Sequence, residues 1–338
     1  MSSVSQNGGT GAAGREINPG PTLRQFAEAL LQGYGLVIAL LLAIVLFSAL
    51  RPEAFFSWTN ARAILTLAAP LTIAALGLTA ALVMNEIDLS VGSMIGLGGA
   101  FAVCLMSFWS VPWGIAIVAA LALALAVGLA TGLMVTLAGA NSLIITLGMA
   151  TLLTGLEFSL TNQRTIYAGI DAGYVALGQS MVLGLNLQVW IAGTIAIAMW
   201  VLLERSEAGR YMYATGSNRE ASFLAGLPVA RLRVTGFVLV AALATVAGIL
   251  LTAQSASAFS NAGQPYLLPA FAAAFLGSTV SGDGRFTVAG TVIAVLFIGV
   301  IQTGLTMLQL STGAINIAQG GLLIMAVLLS RFGRRLRR

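Results

Sequence analysis

GRYMYATGSNREASFLAGLP, residues Gly209 to Pro228, is the most charged internal stretch of this chain and separates two long apolar runs. Ser217 and Glu220 stand in the S-x-x-E spacing of a capping box, in which each side chain satisfies a backbone N–H of the other residue. Gly226 falls where a C′ glycine ends a helix, and Pro228 blocks any continuation. The spacing predicts a short helix at 217–226 with defined ends. Its start is polar and its body small and apolar, with Ala221, Phe223, Leu224 and Ala225. A short capped helix between membrane spans suits a docking element, because a partner can push on something rigid. The same signature also fits an ordinary structured loop.

Composition places that helix in a membrane protein. Of the 338 residues, 58% are hydrophobic and 8% charged, with a mean hydropathy of +0.96; soluble domains carry about 25% charged residues. Ten apolar runs are long enough to read as candidate spans, at 34–50, 62–84, 92–108, 113–137, 143–161, 185–203, 231–253, 267–280, 286–309 and 314–330. The fold class expected is therefore all-α, a polytopic transmembrane bundle of about ten spans. The eighth run is short and rich in alanine and glycine, which fits a half-span or re-entrant segment. The third is interrupted by Gly92, Gly96, Gly98 and Gly99, a pattern tolerated where other helices or a cavity satisfy the backbone; close helix packing explains most of these glycines. Residues 1–25 read as a disordered tail, 26–330 as the membrane domain and 331–338 as an arginine-rich tail.

The charge pattern orients the chain. All 16 basic residues are arginines, and with both termini in the cytoplasm thirteen of them lie inside. Only Arg51, Arg62 and Arg164 then fall outside, and the short helix faces the cytoplasm. A sequence pI near 10.0 thus reflects membrane topology rather than nucleic-acid binding. The lone Cys104 lies in an apolar run, and the chain has no histidine, so disulfides, metal sites and histidine acid–base chemistry are not expected.

No G-x-x-x-x-G-K-[ST] phosphate loop is present, and there is no lysine to build one. Nor is there a Ser–His–Asp set or a Cys/His cluster. The chain reads as a non-enzyme that binds no cofactor, so ATP-driven transport would place ATP and magnesium on a separate subunit. Glu157 is the acid best placed inside a span, where an ionisable group points to ion coupling; its position equally fits the outer end of that span, facing the interface. Asp88 and Ser90, in NEIDLSVGS (Asn85 to Ser93), read as a structural cap for the third span, since an acid there meets the positive end of the helix dipole.

That same run closely resembles the GGIDLSVG signature of the ribose/xylose-type permeases, the membrane subunits of bacterial sugar ABC importers. Ser142 to Gly148 (SLIITLG) with Thr154 and Gly155 is similar to a second stretch of that family. Gly209, Arg210, Gly216, Asn218, Glu220 and Gly226 match the loop that forms its coupling helix. Asn261, Gly263 and Tyr266, and the GST…GDG run from Gly277 to Gly284, resemble two further segments. The matches span about residues 60 to 330 in the family's order and spacing. There are departures: Asn85 and Glu86 stand where the family usually has a glycine pair (a glutamate there also occurs in xylose-type members), Ser222 replaces an alanine, and Leu267, Leu268 and Pro269 replace an acidic run.

The resemblance implies an ABC importer permease fold in the cell inner membrane. It also implies a cytoplasmic ATP-binding cassette ATPase, a second permease copy (identical or different) and a periplasmic sugar-binding protein as partners, all around a bilayer-embedded path. Arg210, Ser217, Asn218, Arg219, Glu220, Ala221 and Gly226 would dock the ATPase. A sugar path needs hydrogen-bonding groups beside an aromatic face, for which Asn141, Thr146, Asn162, Gln254, Asn261, Tyr266 and Gln302 are the candidates. Each of these polar groups also suits a plain interhelical hydrogen bond. A permease of the related importers for branched-chain amino acids, urea or nucleosides shares the coupling helix. An ion-coupled secondary carrier would instead use Glu157 or Asp88.

Overall fold

The computed structural model describes residues 23–281, 283–311, 313–318, 320, 321 and 324. The expected tail at 331–338 and most of the tenth candidate span lie outside these residues, as does the expected N-terminal tail up to residue 22. Helix α1 (Leu23–Leu50) and the short α2 (Pro52–Phe55) lead into α3 (Trp58–Val83), where Ser57 caps the start by accepting from Asn60 N at 3.2 Å. After a non-helical passage at 84–90 come α4 (Val91–Trp109), α5 (Trp113–Leu137) and α6 (Ser142–Thr161). The chain then forms α7 (Ala172–Gln179) and a two-residue hairpin, β1 (Met181–Val182) with β2 (Leu185–Asn186), before α8 (Leu187–Trp200) and one π-helical turn at Val201–Arg205. The sequence pattern missed α2, α7 and the hairpin, which are too short to leave a periodic signal.

Two short helices follow, α9 (Glu207–Ser217) and α10 (Arg219–Leu224), then α11 (Val229–Ser255), α12 (Gln264–Ser278) and α13 (Val288–Met307). Among the described residues seven helices are long and apolar enough to cross a membrane, and Tyr34–Leu50 of α1 is a shorter apolar segment. With 15 residues, α12 is about 22 Å long at 1.5 Å per residue, too short for a full crossing. It matches the short eighth run expected from composition.

Helices α3, α4 and α11 form the centre, and glycines set their spacing. A Cβ on Gly99 would come within 2.9 Å of Thr252 Cγ2 as well as striking the backbone of Gly248. Backbones meet this closely where small residues face each other, which is how helices associate when lipid removes the hydrophobic drive between them. These contacts also place α4 in depth. Gly236, eight residues into α11, abuts Met84 and Ala81, whereas the carbonyl of Ile95 abuts Gly248, twenty residues in. The passage at 84–90 therefore climbs inside the bundle, and α4 starts well within it rather than at its surface.

The arginines segregate by end. Arg205, Arg210, Arg219, Arg231, Arg233 and Arg285 lie around α9, α10 and the starts of α11 and α13. Arg51, Arg62 and Arg164 lie at the opposite end, where Arg62 reaches the sulfur of Met181.

Candidate functional site

Helix α10 projects between α9 and α11 and is the element the sequence singled out, but its start differs from the capping box. Ser217 belongs to α9, and its hydroxyl donates to the carbonyl of Tyr213 at 3.0 Å. Asn218 is the N-cap of α10, with its Oδ1 accepting from Ala221 N at 2.9 Å. The S-x-x-E reading fails because Ser217 still continues α9, so its N–H belongs to that helix and is not a free donor for Glu220; Asn218 N likewise donates back to Ala214 O. Glu220 is exposed instead. The helix runs over six residues rather than the full 217–226 stretch.

Its C-terminus follows the expectation. Gly226 has φ +80°, Leu227 N donates to Ser222 O and Gly226 N to Phe223 O, the paired bonds of a Schellman stop. Held at both ends, α10 presents Phe223 (70% exposed) and Leu224 (79% exposed) outward, next to exposed Arg219, Glu220 and Ala221. Arg210, one turn into α9, is also exposed and donates to Arg205 O at 3.5 Å, and Arg205 itself lies 4.7 Å over the Trp200 ring.

Beside α9 lies a polar cavity of about 560 Å³, lined by Glu204, Arg210, Tyr213, Ser217, Asp283 and Arg285 among others. Its walls are tied together: Tyr213 Oη donates to Phe286 O at 2.6 Å, and Glu204 Oε1 accepts from Val288 N, capping α13 together with Thr287. Burial, reinforced by the charge of Glu204, pushes the Tyr213 phenol up to about 12, so it remains a hydrogen-bond donor at neutral pH.

Sequence reasoning gave Glu86 no partner, and the structure does. Its Oε1 accepts from Arg219 Nη2 at 2.5 Å and from Arg233 Nε at 2.6 Å, while Asn85 Nδ2 donates to Gly216 O. Four residues later the expected cap takes a modified form. Ser90 occupies the N-cap of α4 but makes no capping bond of its own. Its N–H and its hydroxyl both donate to Asp88 Oδ1, at 2.8 and 2.5 Å. Asp88 therefore closes the turn into α4, and both carboxylates are buried.

Glu157 has a structural partner as well. Its Oε1 accepts from Asn261 N at 2.7 Å, in the turn before α12, and its carboxylate fills the space left by Gly96 on α4. Gly263, the N-cap of α12, lies against Gly92 and Gly96. The starts of α4 and α12 thus meet inside the bundle, each with a carboxylate at its entry. Interrupted helices of this kind survive in a bilayer only when protein groups satisfy the freed backbone.

The path candidates divide. Thr146 is fully buried, and its hydroxyl bridges Leu89 N at 3.1 Å and Ile87 O at 3.3 Å, fastening α6 to the 84–90 passage. Asn141 caps α6 through Leu143 N, and Asn162 ends the same helix at φ 50°. Gln254 and Tyr266 are half-buried, whereas Asn261 and Gln302 are exposed. Between Asn141 and Asn162, α6 carries an exposed line of small and polar residues, Gly148, Thr151, Gly155 and Ser159, at helical spacing. Sequence reading missed this line because its signal is exposure, which composition does not carry.

Seven long apolar helices, with a short capped helix exposed at one end, define a polytopic α-helical membrane protein. The chain belongs to the family described as "Branched-chain amino acid transport system / permease component", which it matches over residues 60–330. It is 35% identical over 310 residues to the ribose import permease protein RbsC of Escherichia coli K12, covering 90% of this chain and 95% of that one. It is 33% identical over 305 residues to the protein of the same name from Bacillus subtilis (90% and 94%). Its identity to the D-allose transport system permease protein AlsC of Escherichia coli K12 is 30% over 298 residues (88% and 91%). No solved structure matches.

Proposed function

We propose that this chain is the membrane permease of an ATP-binding cassette importer for a monosaccharide, in the inner membrane, with both termini and α10 in the cytoplasm. The similarity to ribose and allose permeases along nearly their whole length carries the substrate class. The family description names branched-chain amino acids, but the full-length relatives named here carry sugar names. The arginine-rich end supports the orientation, since positive residues gather in cytoplasmic loops.

In this reading α10 is the coupling helix. Phe223 and Leu224 enter a cleft on a separate ATPase, the rim charges Arg219 and Glu220 set register, and the cavity beside α9 receives polar groups of the same partner. ATP and magnesium act on that ATPase. Closure of the ATPase pair moves α10, and the path switches its access. A second permease, identical or different, covers the line Gly148–Thr151–Gly155–Ser159 on α6, leaving Asn162, Asn261 and Gln302 to meet a sugar handed over by a periplasmic binding protein. Glu157 and Asp88 hold helix starts rather than a coupling ion.

The test is uptake by proteoliposomes holding the permease, its ATPase and its binding protein. The proposal predicts saturable, ATP-dependent uptake of a labelled pentose or hexose, unchanged by an ionophore. Uptake by the permease alone that an ionophore collapses would replace it with an ion-coupled carrier.

A further inference from the structure

Glu86 lies 133 residues from Arg219 and 147 from Arg233 in the chain, yet one oxygen of its carboxylate engages both. The Glu86 side chain is 3% exposed and that of Arg233 11%, whereas Arg219, on the first turn of α10, is 48% exposed. Next to it, Asn85 sits at φ 58° and hands its amide to Gly216 O in the last turn of α9. Gly216 itself lies so close to Val83 and Met84 that a Cβ there would overlap their backbone. Two consecutive side chains therefore grip the α9–α10 junction.

The other side of the same passage is bound to the transport helices. Ile87 N donates to Ser142 Oγ at 3.4 Å, Leu89 N donates to Thr146 Oγ1 at 3.1 Å, and Asp88 closes the turn into α4. Residues 85–90 thus form a short strap with α9–α10 at one end and the first turns of α6 and α4 at the other. The geometry points to Glu86 as the positioning residue through which movement of α10 reaches α4 and α6. A buried carboxylate held by two guanidinium groups suits a part under load. Pulling it from Arg219 leaves a buried carboxylate with one partner fewer, whereas an apolar contact slides at little cost.

This inference rests on the importer reading, and one reconstitution separates the two. The complex of permease, ATPase and binding protein is assembled with wild-type chain, Glu86→Gln or Asn85→Gly, and ATP hydrolysis and sugar uptake are measured together. Glycine keeps the positive φ at position 85 while removing the bond to Gly216. Both variants should assemble with the ATPase at wild-type stoichiometry and raise ATP consumed per sugar by about two- to thirty-fold, the range expected for a lost coupling contact. An unchanged ratio in the assembled variants overturns the role of Glu86. If Glu86→Gln fails to assemble, Glu86→Asp, which keeps the charge but shortens the reach to Arg219, takes its place, and an unchanged ratio there overturns the role of Glu86. A wild-type complex without ATP-driven uptake would instead overturn the importer reading.

Discussion

Replacing Phe223 by alanine probes the docking helix without touching the bundle. The residue is 70% exposed, so of the roughly 200 Å² an aromatic side chain buries, about 140 Å² is open to a partner. At about 25 cal/mol per Å², closing that area contributes about 3.5 kcal/mol. The ordering of side chains at the interface offsets part of this, leaving a net loss of about 2 kcal/mol, or about 30-fold in affinity. Because Phe223 is open in the free chain, Phe223→Ala should melt in detergent at the wild-type temperature. The assay is titration of the solubilised permease with its isolated ATPase, following ATPase binding by fluorescence. Wild-type affinity in Phe223→Ala would refute docking through this face of α10.

Further outcomes follow from the same contacts. Asn218→Ala should weaken α10 by about 1 kcal/mol, seen as faster amide exchange at Ala221, while Ser217→Ala leaves that exchange unchanged. Gly226→Ala forces a side chain into a left-handed turn and should cost about 1–2 kcal/mol, read as a lower melting temperature or faster proteolysis beside α10. Glu157→Ala should destabilise the bundle by about 1–3 kcal/mol because Asn261 N loses its acceptor, while Glu157→Gln keeps an acceptor and should transport at the wild-type rate; loss of transport in the glutamine variant would favour an ion site. Burial raises the Tyr213 phenol to about 12, so its contribution to stability is complete below about pH 10 and is lost as pH rises towards 12. Tyr213→Phe should flatten that alkaline limb of a melting profile.

What was legible in the sequence followed the range of the signals. Apolar runs report membrane spans directly, and the shortness of α12 was readable because a crossing needs about 20 residues. Gly226 and Pro228 marked the end of α10 because a left-handed turn requires a particular residue type. Its start was misread by one residue. Serine and asparagine both cap helices, and only the continuation of α9 through Ser217 decides between them. Glu86 and Glu157 were visible as acids in apolar surroundings, but their partners lie 133 and 104 residues away. No local pattern encodes such a pairing. Thr146 looked like any polar path residue until its bonds to Ile87 and Leu89 fixed it in an interface.

The central claim is that α10 docks a separate ATPase, and co-purification tests it most directly. The tagged chain is extracted gently from its native membrane, and the bound proteins are identified and counted. The account predicts an ATPase carrying a phosphate loop at equal copy number with total permease, lost on Phe223→Ala. Recovery of the chain alone, even with an ATP analogue present to trap the complex, would contradict it.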